Sequence, residues 1–100
     1  MPIRSFREDW VKDIASGVSS KRARLGLPYE LHPKAKIKVE TIHYAGGLKD
    51  LLIPPGNKFK RLQPPRDDEY SLRINDQWRI VFRYEDKTNQ FFDVLIEDYH

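Results

Sequence analysis

Between Tyr70 and His100 the chain reads YSLRINDQWRIVFRYEDKTNQFFDVLIEDYH. Tyr70, Leu72 and Ile74 alternate with Ser71, Arg73 and Asn75. Trp78, Ile80, Phe82 and Tyr84 alternate with Arg79, Val81 and Arg83, and Phe92, Val94 and Ile96 with Asp93, Leu95 and Glu97. A period of two marks half-buried strands. Asn75-Asp76-Gln77 is expected to turn, because Asn and Asp tolerate positive φ, and Glu85 to Asn89 to form a second turn. Connections this short predict an antiparallel meander. Strand parity sets Arg73, Arg79 and Arg83 on the face opposite the large apolar residues. Trp78, Phe82 and Phe92, together with Trp10, are expected in the core.

Upstream the pattern changes. Ile3 and Phe6 flank Arg4 and Ser5 as in a short edge strand. Trp10, Val11, Ile14 and Ala15 recur at helical spacing, which predicts a helix over 7–16, and Gly17 is placed to end it. Residues 19–27, SSKRARLGL, are polar and basic. They fit a solvated loop or frayed turn, or alternatively a mobile basic arm that touches phosphate. Residues 34–42, KAKIKVETI, alternate like a strand. Read over His32 to Ala45, the chain also puts Ala35, Val39, Ile42 and Ala45 on one helical face. Pro33 suits a first helical position and Gly46-Gly47 a stop, so a helix is expected. Asn57 to Leu62 is a basic segment anchored by Phe59 and Leu62, and Gln63 to Glu69 a loop rich in proline and charge. A strand, helices and then three strands (β-α-α-β-β-β) make an α+β fold, with two helices packed on one face of a twisted sheet.

One hundred residues suffice for a single domain, 1–100, with a modest core. The hydrophobic fraction of 39% suits a compact globule rather than a disordered tail. With 18 basic and 15 acidic residues, the net charge is +3. That excess allows a basic patch for an anionic partner, or only a well-solvated surface. There is no cysteine, and His32, His43 and His100 lack the paired spacing of a zinc site. No metal and no cofactor are expected. With no apolar leader and no bilayer-length apolar run, the expected setting is cytoplasmic, without membrane contact.

Asp98-Tyr99-His100 puts three proton-handling or hydrogen-bonding side chains after an apolar strand. Metal-free RNA cleavage needs a base for the 2′-hydroxyl, cations for the charged phosphorane and an acid for the leaving 5′-oxygen. Histidine can give or take a proton near neutrality. Arginine matches phosphate with a fork of donors. Tyrosine donates to phosphate or stacks on a base. Candidates for such chemistry are His100, Arg79, Asp98 and Tyr99, with Arg73, Arg83, Lys58, Lys60 and Arg61 as further cations. Each has a plainer reading: a terminal histidine in solvent, a solvated strand face, a solubilising run. The same basic face also suits a non-catalytic RNA- or DNA-binding module, or an interaction protein with an acidic partner.

The chain resembles the HigB toxins, members of the RelE-like toxins of bacterial type II toxin–antitoxin systems. The resemblance rests on Ile3-Arg4-Ser5-Phe6, on Leu51-Leu52-Ile53-Pro54-Pro55-Gly56-Asn57, on the block from Tyr70 to Arg83, and on Glu97-Asp98-Tyr99-His100. It implies a small RelE-like ribonuclease fold and an endoribonuclease that cuts messenger RNA in the ribosomal A site. It also implies a helix-turn-helix antitoxin of the HigA type, and operator DNA bound through the toxin–antitoxin complex. Under it, Asp98, Tyr99 and His100 match the family's terminal triplet, and Arg79 the arginine after the strand tryptophan. His100 is then the proton-handling group. Lys60 stands where some relatives carry a histidine, and can replace its charge but not its acid–base role. Gln63 replaces a residue that is basic in many relatives, and Pro64-Pro65 a small flexible pair.

Overall fold

The computed structural model describes residues 3–98. The expected helix over 7–16 is α1 (Asp9–Ala15), whose Val11 and Ile14 are buried. A second helix, α2 (Lys21–Gly26), occupies the stretch expected to be a loop or mobile arm. Ser20 caps it by accepting a hydrogen bond from the Ala23 N–H, and also donates to Asp13. Ala23 and Leu27 are wholly buried, and these two apolar anchors, the cap and the Arg22–Asp13 ion pair dock a segment that is otherwise polar. Gly26 is required by that packing: a Cβ there would lie 2.5 Å from the Trp10 ring.

The ambiguous stretch is helix α3 (His32–His43) with Pro33 in its first turn. Ala35, Val39 and Ile42 are buried while Ile37 is exposed, the pattern of a helix rather than a strand. A short 3₁₀ turn, Tyr29–Leu31, joins α2 to α3, and two more, Leu48–Leu52 and Pro55–Asn57, lead from α3 to the sheet.

The sheet has four antiparallel strands in chain order. They are β1 (Lys60–Arg61), β2 (Tyr70–Arg73), β3 (Trp78–Glu85) and β4 (Gln90–Asp98). The meander of the last three is as expected; β1, only two residues long, is an addition. The expected N-terminal strand is reduced to two isolated parallel bridges against β4, Ile3 to Phe91 and Phe6 to Val94.

The first turn differs from expectation in its mechanism. Asn75 has no positive φ; its side-chain oxygen accepts from the Gln77 and Trp78 N–H groups at 2.9 and 2.8 Å. In the second turn Asn89 does adopt a positive φ of 50° and ties the hairpin to the helical layer by donating to the Ala45 carbonyl.

A further departure lies in β4. A bulge shifts the β3–β4 register between Val81 and Arg83, and Asp93 takes a φ of 51°. Its N–H donates to the Ser5 hydroxyl at 2.9 Å. The extra residue inverts parity on the N-terminal side of the bulge. Phe91, not Phe92, therefore enters the core, and Phe92 pairs with Arg83 on the open face under the Arg4 guanidinium, 4.4 Å from its ring centre. Trp10 and Trp78 are half-buried at the margin of the core rather than within it. The core itself joins Leu72, Ile74, Ile80, Phe82, Phe91, Val94 and Ile96 to the buried faces of the three helices. Each such side chain removed from water contributes roughly 1.5–3 kcal/mol.

Candidate functional site

Opposite the helices, register brings candidate residues into rows. Lys60, Ser71, Val81 and Leu95 run across the four strands, and Arg73, Arg79 and Glu97 across the next level. Arg73 and Arg79 are direct cross-strand neighbours. Like charges so placed cost stability, and each guanidinium is held by acceptors.

Arg79 is only 7% exposed. Its Nε donates to the Ser71 hydroxyl at 3.0 Å and its Nη2 to the Lys58 carbonyl at 2.7 Å. The Lys58 carbonyl is aimed by the loop before it. Asn57, 1% exposed, donates to the carbonyls of Leu51 and Ile53, both at 3.3 Å, and accepts from Lys38. Lys58 then takes the left-handed conformation at φ 47°, which turns the chain into β1. The Leu51–Asn57 motif thus acts as a bracket for Arg79. Burial lowers the Lys38 ammonium pKa, with the neighbouring Lys34 charge adding to the effect.

Two open grooves meet at Lys60. One, of about 440 Å³, is lined by Lys58, Lys60, Arg73 and Arg79. The other, of about 430 Å³, is lined by Lys60, Arg61, Gln63, Arg66, Glu97 and Asp98. Arg73 is ion-paired with the exposed Asp76 of the adjoining turn. Arg61, at the sheet edge, pairs with Asp67. Asp98 ends β4 and accepts from the Gln77 side chain at 3.0 Å. Arg83 shares the open face but lies four residues along β3 from Arg79, roughly 13 Å at strand rise. Asp68 holds it at 3.0 Å, with Asp93 at 3.8 Å. The structure therefore brings Lys58, Lys60, Arg61, Arg73, Arg79 and Asp98 around two adjoining grooves and leaves Arg83 apart. Tyr99 and His100 lie outside the described residues.

Sequence reasoning missed Arg66 and Glu97. Arg66 donates to both Glu97 carboxylate oxygens, at 3.0 and 3.2 Å, and to the buried Glu69. Hydrogen bonding to Glu97, above all, raises the Arg66 pKa further. The two residues are 31 positions apart, and no local spacing announces the pair.

A separate cavity of about 290 Å³ lies in the helical layer beside Ile14, Tyr29 and His32 and holds none of these candidates. Among the described residues no cluster of His, Cys, Asp and Glu could hold a metal ion. No described helix is long and apolar enough to cross a membrane.

Comparison with known proteins adds independent findings. A family model described as the RelE-like toxin of the type II toxin–antitoxin system HigB matches residues 4–100. Toxin HigB-1 of Vibrio cholerae serotype O1 is 32% identical over 81 residues, 81% of this chain and 82% of that protein. An uncharacterized protein of Haemophilus influenzae is 32% identical over 59 residues, 59% of this chain and 58% of that one. Among solved structures, a chain of the YoeB-YefM complex from Staphylococcus aureus superposes with a TM-score of 0.58 at 20% identity. That match covers 98% of this chain and 94% of the other, and is a likeness of fold.

Proposed function

The chain belongs to the HigB-like, RelE-like toxins of type II toxin–antitoxin systems, and from that premise we propose that it is a metal-independent endoribonuclease cutting messenger RNA in the ribosomal A site. One observation carries the reading: Arg79 is buried yet fixed by Ser71 and the Lys58 carbonyl, beside Arg73 and at a groove shared with Lys58 and Lys60. Two arginines opposite each other on a sheet cost stability, and a phosphate site gives a reason to keep them there. A phosphate bound there receives fixed cationic donors, the arrangement that stabilises developing negative charge most effectively.

In the reaction the 2′-hydroxyl loses its proton to a base, its oxygen attacks the adjacent phosphorus, and the bond to the 5′-oxygen breaks as that oxygen takes a proton. His100 handles one of these protons. Asp98, at the end of β4, orients it and favours its protonated form. Tyr99 holds phosphate or stacks on a base. Arg79 and Lys60 offset the charge on the phosphorane, and Arg73, Lys58 and Arg61 steer the strand. Arg83, held by two carboxylates, contributes less than the cations of the grooves.

The proposed partners are a HigA-type helix-turn-helix antitoxin, the ribosome with its message, and operator DNA through the antitoxin complex. The setting is that of ribosomes, the cytoplasm, and one domain carries the whole activity.

Induction in growing cells, with 5′ ends of messenger mapped, tests the reading. Growth arrest with cuts in phase with codons is the expected result. Arrest without cuts would replace it with the alternative, a non-catalytic RNA- or DNA-binding module using the same basic face.

A further inference from the structure

Glu97 is an anion in a row of cations. Register places it directly across from Arg79, which is across from Arg73. Cα atoms of such cross-strand neighbours are about 4.5–5.5 Å apart, so a bare carboxylate there would repel an RNA phosphate bound at Arg79. It is not bare. Both its oxygens accept from Arg66, which reaches over from the proline-rich loop between β1 and β2. The same guanidinium donates to Glu69, a residue 5% exposed that also faces Arg7 at 3.9 Å. The loop is therefore fastened at its base by Glu69 and across the sheet by Glu97. Its residues Gln63 and Arg66 form a wall of the groove that Lys60 and Asp98 also line.

We propose that Arg66 is a positioning residue of the RNA site: it neutralises Glu97 by a two-point ion pair, so that the Arg73–Arg79 row presents its positive charge to phosphate. Arg66 touches no reacting atom in this account; it acts through Glu97. The inference rests on the proposed function, and it assigns to the loop a task beyond closing the sheet. It also gives a reason for an acidic residue to stand in that row: paired, it anchors the loop, and unpaired, it opposes the substrate.

The test is cleavage of message on programmed ribosomes, with kcat and KM separated, for the wild type, Arg66→Ala, Glu97→Gln and the double variant. Arg66→Ala exposes the Glu97 charge and is expected to raise KM about tenfold, with a smaller change in kcat. Adding Glu97→Gln removes that charge without restoring the loop fastening, and is expected to return KM to within about threefold of the wild type. Glu97→Gln alone removes one of the two carboxylates that Arg66 pairs with, leaving Glu69, and is expected to lower KM, by about threefold in low salt. A purely structural role predicts no rescue in the double variant, and that result overturns the inference, as does an unchanged KM in Arg66→Ala. Should Arg66→Ala fail to fold, as judged by circular dichroism, Glu97→Gln alone decides: a lowered KM supports the inference and an unchanged or raised one overturns it. A wild type that cuts no message overturns the proposed function and this inference with it, whereas an active wild type without rescue overturns only the inference.

Discussion

On the helix-facing side of the sheet, Leu72, Ile74, Ile80, Phe82 and Ile96 follow one another across the strands as apolar alternation requires. On the other side Val81 and Leu95 are just as well buried, but they share their face with Ser71, Arg79 and Glu97. The first face is held by burial, a non-directional force that needs only apolar residues in the right phase. The second is held by directed contacts that reach it from loops: the Lys58 carbonyl onto Arg79, and Arg66 onto Glu97. One sheet can therefore keep its fold while its open face is altered, and the two faces are separable by mutation.

The largest expected effect lies on the helix side. Phe82 is wholly buried between Tyr70 and Phe91, with ring centres 6.2 and 5.5 Å away. Phe82→Ala should cost about 3–5 kcal/mol of stability in chemical denaturation. A loss below about 1 kcal/mol would break the claim that burial governs this face.

Next comes the bracket beneath the open face. Asn57→Ala strips two donors and one acceptor from a buried turn and should cost about 1–3 kcal/mol. Because the turn aims the Lys58 carbonyl, cleavage by the purified variant should fall as well, even under conditions where the protein remains folded. Unimpaired cleavage would detach the bracket from the site.

Acid should act on the helical layer. Hydrogen bonds from Arg22 and then from Ser20 lower the Asp13 pKa from 3.8 to about 2. The folded state thus holds the ionised form more firmly than the unfolded chain does. That contribution is complete above pH 3.8 and is lost as the pH falls through about 2. Thermal melts of the wild type should fall across this interval, and those of Asp13→Asn should fall less, because the asparagine has no proton to take up. Parallel curves would remove Asp13 from the acid response.

The smallest effect is expected where neither face is involved. Lys36 and Glu40 form an exposed pair one turn apart on α3. Replacing Lys36 by alanine should change stability by about 0.3–0.5 kcal/mol, an effect that 1 M salt should largely erase.

The elements legible in the sequence were those with periodic burial. α1, α3 and the three long strands follow apolar spacing, and their positions came through within a few residues. α2 did not, because its polar SKRAR run hides a docked helix whose apolar anchors are Ala23 and Leu27; the capping residue Ser20 was the available signal. The exchange of Phe91 for Phe92 could not be read from alternation, since the Asp93 bulge breaks the period that the reading assumes. At the candidate site, parity brought Arg73 and Arg79 together correctly. The partners that give them meaning, Asn57 behind Arg79 and Arg66 on Glu97, join distant segments through hydrogen bonds and leave no periodic trace.

The most direct test compares two arginines of one strand, Arg79 at the grooves and Arg83 between Asp68 and Asp93. Purified Arg79→Met and Arg83→Met proteins would be assayed for cleavage of message on programmed ribosomes beside the wild type. The account predicts a loss of about 10²-fold or more for Arg79→Met and a change of only a few-fold for Arg83→Met. Equal activity of all three proteins, or a greater loss at Arg83, would contradict it.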